Sequence, residues 1–219
     1  MKGCMIRKKF TLVEILVVLG LMAVLLFIAL PAFEKLAKGH GVELAARNIT
    51  SKLGQARGYA ITSREYVAVL MPKTGLTNDY IYKGYKLCVV SGTTSPFTFK
   101  RWIPSEKWEF TPNGTAINHI NNTPHDAGTN SDGTTGTWLT GFACEEVSGV
   151  KLTEIGVANI DNVRAIVFKP TGKRAVNLPR YIAVSESTFN GTDLTATNKK
   201  NWIDITVDQF TGRVTYGAE

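Results

Sequence analysis

The sequence predicts an α+β fold in which one long N-terminal helix packs on an antiparallel β-sheet. Residues 10–61 first form an apolar run and then repeat small and apolar side chains at three- and four-residue spacing, as an α-helix does. From residue 66 onward, short segments rich in β-branched and aromatic residues are separated by Gly, Pro, Asn or Asp, which is typical of strands. We therefore expect a leader at 1–9, an apolar helix at 10–33 and a folded domain at 34–219.

The basic leader precedes the apolar run. Residues 1–9 contain Lys2, Arg7, Lys8 and Lys9 and no acidic residue, whereas the whole chain has 25 Lys and Arg against 18 Asp and Glu. After the leader, 21 basic residues remain against 18 acidic ones, so the formal charge falls from +7 to +3. Basic residues ahead of an apolar segment hold that end in the cytoplasm, which predicts that the C-terminal domain lies across the membrane.

The apolar run predicts a single-pass membrane anchor. Residues 15–30 carry no charged side chain, and 10–33 has the length of a transmembrane helix, about 20 residues. A secretory signal peptide is the alternative, but its apolar region covers only about 7–15 residues before a small-residue cleavage site. Glu14 is the one carboxylate of the segment, and such a group costs about 2.5–3.5 kcal/mol at the centre of a bilayer, so we expect a partner for it.

The residues around Glu14 carry a resemblance. Residues 10–16 read Phe-Thr-Leu-Val-Glu-Ile-Leu, which resembles the processing signal of type IV pilins and type II secretion pseudopilins, and Pro31 lies where that family has a helix-kinking proline. The resemblance implies that a prepilin peptidase cleaves between Lys9 and Phe10 and methylates the new amine of Phe10. The family usually has glycine before the cut, where this chain has Lys9.

The resemblance also implies a role for Glu14, whose carboxylate would pair with the N-terminal amine of a neighbouring subunit during filament assembly. The implied fold is the pilin-like fold, and the implied partners are other pilins or pseudopilins, the prepilin peptidase, the inner-membrane assembly platform and the lipid bilayer. The implied location is the bacterial inner membrane, with the N-terminus cytoplasmic and the C-terminal domain periplasmic. The alternative for Glu14 is a local ion pair with Lys8 or Lys9.

The second half of the helix is amphipathic. Its apolar stripe predicts a helix to about residue 61 that faces a core, and Glu43, Arg47, Lys52 and Arg57 lie off the stripe. Pro31 removes a backbone donor, and Gly39 and Gly41 each weaken a helix by about 1 kcal/mol, so a bend or a non-helical stretch is expected between 31 and 41. The stripe consists of Val42, Ala45, Ala46, Ile49, Leu53, Ala56 and Ala60.

A second resemblance covers the end of the helix. Leu53, Ala56, Arg57, Ala60 and Ile61, followed by a strand, are similar to the helix end of the H-type minor pseudopilins and FimT-like minor pilins. Further along the chain, two predicted strands are each followed by Thr-Gly and a basic residue, in Thr171-Gly172-Lys173 and Thr211-Gly212-Arg213. In each segment the glycine can supply the positive φ of a turn. Paired hairpins of this kind also occur in the H-type pseudopilins. For Arg57 the alternative is a solvated or helix-capping charge.

Seven strands and one insertion are predicted for the domain. The Asn-, Thr-, Gly- and Ser-rich composition of about 111–149 predicts a long surface loop. The predicted strands are Tyr66–Met71, Tyr80–Val90, Phe97–Ile103, Arg164–Phe168, Tyr181–Ser185, Trp202–Val207 and Arg213–Tyr216.

Neither a metal nor a cofactor is expected. The insertion contains the potential ligands His119, His125, Asp126, Asp132, Glu145 and Glu146. However, an EF-hand loop would require Asp where Gly128 stands and Glu where Leu139 stands.

The cysteines leave two alternatives open. Cys4 lies in the leader, and Cys88 and Cys144 either form one disulfide in an oxidising compartment or remain two buried thiols.

The sequence predicts a structural subunit rather than an enzyme, because no catalytic motif is present. By resemblance the function is that of a minor pilin or minor pseudopilin in a type IV pilus or type II secretion filament. One alternative is a pilin that binds DNA during uptake, and the other is a membrane-tethered binding or enzymatic domain. Phosphate contacts in the DNA alternative would come from Lys173, Arg174, Arg180, Lys199, Lys200 and Arg213.

Overall fold

The computed structural model describes residues 11–73, 76–77, 79–122, 144–152 and 159–217, with the side chains of 28–39 and 199–200 left outside the description. The predicted cleavage site, Lys9 and Phe10, therefore lies outside the described residues. The chain divides into two units, residues 1–38 and residues 39–219, and each is described by itself. Within the described residues, the structure contains no helix with both the length and the apolar character needed to span a membrane.

The single helix of the described residues, α1, is assigned at Leu12–Ser63. Its backbone remains helical from residue 31 to residue 41, so the predicted non-helical stretch is wrong, and a bend at Pro31 stays a prediction. A proline removes one backbone donor from a helix, and the neighbouring turns can keep their own hydrogen bonds. In the second unit, the predicted stripe from Val42 to Ala60 is confirmed, because all seven of its side chains have no exposed surface.

The described strands of the second unit form two sheets. The strands are β1 Tyr66–Leu70, β2 Gly84–Ser91, β3 Phe97–Trp102, β4 Glu109–Phe110, β5 Thr115–Asn121, β6 Glu145–Ser148, β7 Val163–Phe168, β8 Arg180–Phe189, β9 Leu194–Val207 and β10 Val214–Gly217. The first sheet has the order β1-β7-β6-β3-β2-β4, and β1 also pairs with β2, so β1, β7, β6, β3 and β2 close into a ring. The second sheet has the order β10-β9-β8-β5. Every pairing is antiparallel except β3 with β6, where Phe97 lies opposite Val147.

Strands β1, β2 and β7 are buried on both faces. One face of β1 presents Val67 and Val69 to a core that it shares with the stripe of α1 and with the second sheet. The other face presents Ala68 and Leu70 to a separate core inside the ring. Strands buried on both faces read as continuous apolar runs rather than as alternating patterns, which accounts for the sequence of β1.

The loop predicted at about 111–149 is wrong for two of its segments. Strand β5 contributes Ile117 and Ile120 to the core beside α1, and β6 is part of the ring. The prediction relied on the Asn-, Thr-, Gly- and Ser-rich composition of the whole stretch, which does not reveal strands as short as β5 and β6. Residues 123–143 lie outside the described part of the chain. Strand β9 also begins eight residues earlier than expected, at Leu194 rather than at Trp202.

Lys52 lies on the buried side of α1, although its charge placed it on the polar side in the sequence pattern. Its Nζ atom lies 2.9 Å from Oε2 of Glu106 and 2.6 Å from Oε1 of Glu109, at the start of β4. Burial lowers the pKa of Lys52, but the two carboxylates outweigh burial and raise the pKa above its ordinary value. A buried ion pair therefore joins the helix to the β3–β4 connection and β4.

The cysteines are both free thiols in the structure, so the disulfide alternative is not observed. Cys88 belongs to the core inside the ring, whereas Cys144 packs against the core beside α1. Burial raises the pKa of the Cys88 thiol well above its ordinary value and raises that of Cys144 to about 11. The two thiols therefore contact different cores of the second unit.

Alkylation kinetics should separate the two thiols. In native protein we expect iodoacetamide to modify Cys144 slowly, with a rate that rises about tenfold per pH unit between pH 8 and pH 10, because only the thiolate reacts and its pKa is about 11. Cys88 should react only after unfolding, because it has no exposed surface. Peptide mass analysis measures each site. If both cysteines stay unmodified after unfolding without a reductant, they are joined in a disulfide and the prediction fails.

Candidate functional site

The start of α1 is organised around Thr11 and Glu14. The backbone N–H of Glu14 donates to Oγ1 of Thr11 at 3.2 Å, and the N–H of Ile15 donates to the Thr11 carbonyl at 3.2 Å. Thr11 is therefore the N-cap, which satisfies one of the free donors of the first turn. Glu14 lies in that turn, where the helix dipole favours a negative charge.

The helix surface that follows Glu14 is apolar and uncovered. Between Leu12 and Phe27 the large apolar side chains are 47% to 83% exposed, and Glu14 is the single ionisable residue of this range. Exposed apolar surface of this extent marks a contact with a partner or a membrane. The predicted assembly residue therefore lies beside an uncovered apolar surface. The exposed residues are Leu12, Val13, Ile15, Leu16, Val17, Val18, Leu19, Leu21, Met22, Val24, Leu25, Leu26 and Phe27.

The two Thr-Gly turns of the second unit meet each other. Gly172 has φ +78° and Gly212 has φ +64°, so both occupy the left-handed region that glycine tolerates. A Cβ atom on Gly212 would lie 2.0 Å from the carbonyl oxygen of Gly172. The glycines are therefore required by contact between the turns as well as by backbone conformation.

Arg57 of α1 lies against both turns. Its Nε–H donates to the carbonyl oxygen of Gly172 at 3.3 Å and to that of Thr211 at 3.0 Å. The Cδ atom of Arg57 would be 3.4 Å from a Cβ on Gly212, so the side chain lies directly along the contact. The sequence alternative of a simply solvated charge at Arg57 is therefore wrong, because the guanidinium joins the helix to two hairpins that are far apart in the chain.

Two of the cations considered for DNA binding are buried. Arg174 contacts Oε1 of Glu145, and Nε of Arg180 lies 3.6 Å from Oε2 of the same carboxylate. Burial lowers the pKa of Arg174 to about 10, and Glu145 counteracts part of that effect. Neither guanidinium can reach a phosphate backbone from this position. Lys173 and Arg213 are exposed, while the side chains of Lys199 and Lys200 lie outside the description.

The potential metal ligands do not converge within the described residues, where no group of three such side chains is found. His119 is buried in β5, and Glu145 is bound by the two arginines. Glu146 lies on β6 opposite Arg164. His125, Asp126 and Asp132 lie outside the described residues.

Comparison with solved structures gives a likeness in fold. No protein-family model matches the chain, and no curated protein matches it. The fold is similar to that of the type IV minor pilin FimU of Pseudomonas aeruginosa in two crystal forms. The first has a TM-score of 0.40 and 11% identity, covering 81% of this chain and 87% of that one. The second has a TM-score of 0.40 and 12% identity, covering 80% of this chain and 91% of that one.

Substitution of Gly212 by Ala should destabilise the second unit. The new Cβ would meet the Gly172 carbonyl at 2.0 Å, and a non-glycine residue at φ +64° adds strain of about 1–3 kcal/mol. Gly54→Ala is the matched control, because Gly54 is an exposed helical residue with no atom within 4 Å of the added Cβ. It should stabilise by about 0.5–1 kcal/mol. Urea unfolding of the full chain in detergent compares them, and equal midpoints would contradict the contact between the turns.

Proposed function

We propose that the chain is a pilin-type structural subunit, a minor pilin or minor pseudopilin that enters a filament of a type IV pilus or a type II secretion system. The observation that carries the proposal is Glu14, a lone carboxylate in the first turn of a helix whose next apolar side chains are uncovered. An apolar helix surface of this kind gains free energy when it is covered, at about 25 cal/mol per Å² of apolar area. Helix packing in a filament would cover it.

The carboxylate supplies the directional part of the proposed assembly. Removing Glu14 from water without a cation would be unfavourable, so its insertion among apolar helices requires a positive partner. After cleavage between Lys9 and Phe10, the amine of Phe10 on a neighbouring subunit would be such a partner. Thr11 caps the helix through its hydroxyl, so the Glu14 carboxylate is not needed as the helix cap.

The proposed location follows from the order of charges along the chain. Residues 10–33 would anchor the subunit in the bacterial inner membrane, with the basic residues 1–9 in the cytoplasm and the second unit in the periplasm. The prepilin peptidase and the assembly platform would be partners in that membrane. DNA binding is not favoured, because Arg174 and Arg180 are engaged by Glu145.

Processing can be tested on membrane-extracted protein. We expect intact-mass and peptide-mass spectrometry to find a mature chain that begins with a methylated Phe10 when an active prepilin peptidase is present. A Lys9→Gly variant is the control, because it restores the glycine that the family has before the cut. If Lys9→Gly is cleaved and the unsubstituted chain keeps residues 1–9, then Lys9 blocks processing and the proposed pairing of Glu14 with a Phe10 amine is wrong.

Substitution of Glu14 by Leu should separate membrane insertion from assembly. Loss of the carboxylate removes a cost of about 2.5–3.5 kcal/mol in hydrocarbon, so insertion should be unchanged or better. Crosslinking to neighbouring pilins in membranes should fall, because the pairing group is gone. Glu43→Leu is the matched control, since Glu43 is an exposed acid of the same helix whose carboxylate contacts Arg47 at 2.6 Å. Equal crosslinking in both variants would remove the proposed role of Glu14.

A further inference from the structure

The contact between the two turns creates a surface that the proposed function does not use. We call it the paired-turn surface, and it consists of Arg57, Ile61, Lys173, Phe210 and Arg213. Arg57 and Ile61 lie one turn apart on α1, and a Cβ on Gly172 would be 2.7 Å from Cδ1 of Ile61. Lys173 and Arg213 each follow the glycine of one turn, and Phe210 belongs to the second turn.

The guanidinium of Arg57 is held so that its outer edge remains available. Its Nε–H is used by the carbonyls of Gly172 and Thr211, and within the described part of the chain no acceptor contacts its two Nη atoms. The Arg57 side chain is partly exposed. An arginine fixed at Nε presents its remaining N–H groups in a rigid fork, which matches the two oxygens of a carboxylate. The position therefore suits bidentate recognition of an anion.

The surface carries three cations, and the one acid of the second turn is Asp208. Lys173 and Arg213 are exposed, and neither forms an ion pair with any described residue. The acid of the second turn, Asp208, accepts hydrogen bonds from the N–H of Phe210, the N–H of Thr211 and the hydroxyl of Thr211. The Thr211 side chain is the main cause that lowers the pKa of Asp208 below its ordinary value. All three hydrogen bonds reach Oδ1 of Asp208, so this oxygen is committed to the turn, and among the described residues Asp208 forms no ion pair with the three cations.

Two apolar side chains distinguish this surface from a purely electrostatic patch. Phe210 is 61% exposed at the turn, and Ile61 is 46% exposed on α1. Phosphate backbones are bound mainly by cations and polar groups, whereas a protein interface combines an apolar or aromatic anchor with arginine. The combination of Phe210 and Ile61 with three cations fits an acidic side chain that has apolar neighbours.

We propose that the paired-turn surface binds an acidic, apolar segment of a partner protein, with Arg57 receiving its carboxylate between Lys173 and Arg213. The inference goes beyond the proposed function and does not depend on it, because no residue of the surface belongs to the first 38 residues. Phe210 and Ile61 would contact the apolar residues on either side of the carboxylate. Charge complementarity selects the partner, and the apolar contacts exclude fully hydrated anions.

The test uses the full chain in detergent micelles and a dye-labelled peptide with the sequence Leu-Glu-Phe-Glu-Leu. Leu-Gln-Phe-Gln-Leu is the matched control peptide, with the same shape and no charge. Fluorescence anisotropy should show the Glu peptide binding at least about tenfold more tightly, since a hydrogen bond to a charged group contributes about 1.5–3 kcal/mol. Equal affinity for the two peptides, or no binding of the Glu peptide at millimolar concentration, would overturn the proposal.

Variants locate the binding. Arg57→Lys keeps the charge but loses the fork, and it should weaken binding of the Glu peptide at least about fivefold. Arg47→Ala is the control, because it removes an exposed cation of the same helix that contacts Glu43, and it should leave binding unchanged. If Arg57→Lys also lowers the unfolding midpoint, the double variant Lys173→Ala, Arg213→Ala gives the independent measurement, because both residues are exposed. Equal losses in Arg47→Ala and in these variants would place binding elsewhere.

A competition experiment with duplex DNA tests whether the paired-turn surface binds nucleic acid instead. If DNA displaces the Glu peptide and binds more tightly, with a salt slope of about 0.9 per phosphate contacted, the surface serves nucleic acid and the proposal is wrong. Peptide binding is also measured with the Glu14→Leu variant, so that binding at the paired-turn surface can be separated from the proposed filament assembly. Peptide binding should be the same in that background, even where crosslinking to neighbouring pilins is lost, and a loss of peptide binding would contradict the independence of the two sites.

Discussion

The second unit depends on how closely one face of α1 approaches two sheets. The stripe on this face contains Ala45, Ala46, Ala56 and Ala60, and none of them has exposed surface. Small side chains let the helix backbone lie near the strands, so that Val67 of the first sheet and Val184 of the second share one core with it. The interior is close-packed, so a larger side chain on this stripe would have to displace atoms of both sheets. Because of this constraint, both sheets pack on the same face of the helix although they do not pair with each other.

Two polar contacts join this helix to loops of the second unit. Lys52 ties the buried side of the helix to Glu106 and Glu109, and Arg57 holds the hairpins that follow β7 and β9. Each contact joins segments that are distant in the chain. The hydrophobic stripe therefore sets the distance between helix and sheets. The two cations set which loops lie against the helix.

The sequence predicts those elements whose pattern is local. The stripe of α1 and the positions of β1, β3, β7 and β10 follow from periodicity and from turn residues, and each of these strands lies within one residue of its expected bounds. Strand β5 is not predicted from the sequence, because Asn118 and His119 interrupt its apolar pattern at a bulge. At this bulge Ile117 pairs with Val184 and His119 pairs with Ala183. The closed ring of strands is not predicted either, because β1 pairs with both β2 and β7, and local sequence patterns do not indicate which distant strands pair.

The two candidate sites also differ in how far the sequence predicts them. Glu14 is recognisable because a lone charge in an apolar run is unusual in any context. Arg57 is not, since an arginine near a helix end is ordinary, and its role depends on two turns 115 and 154 residues further along the chain. The repetition of Thr-Gly followed by a basic residue was the available signal. It predicted two similar turns but not that they meet.

The formal net charge of the chain overstates the positive charge that the folded domain presents to a partner. The formal excess of +7 falls to +3 without the leader, and Glu145 then occupies Arg174 and Arg180 in the interior. Among the described side chains at the paired-turn surface, Arg57, Lys173 and Arg213 remain. Three phosphate contacts would give a salt slope of about 2.7 on duplex DNA, which is small beside the slope of about 10 of a strong DNA binder. A carboxylate placed beside Phe210 and Ile61 is partly removed from water, and its attraction to Arg57 is screened less by salt. The same three cations are therefore better matched to an acidic protein segment than to a nucleic acid.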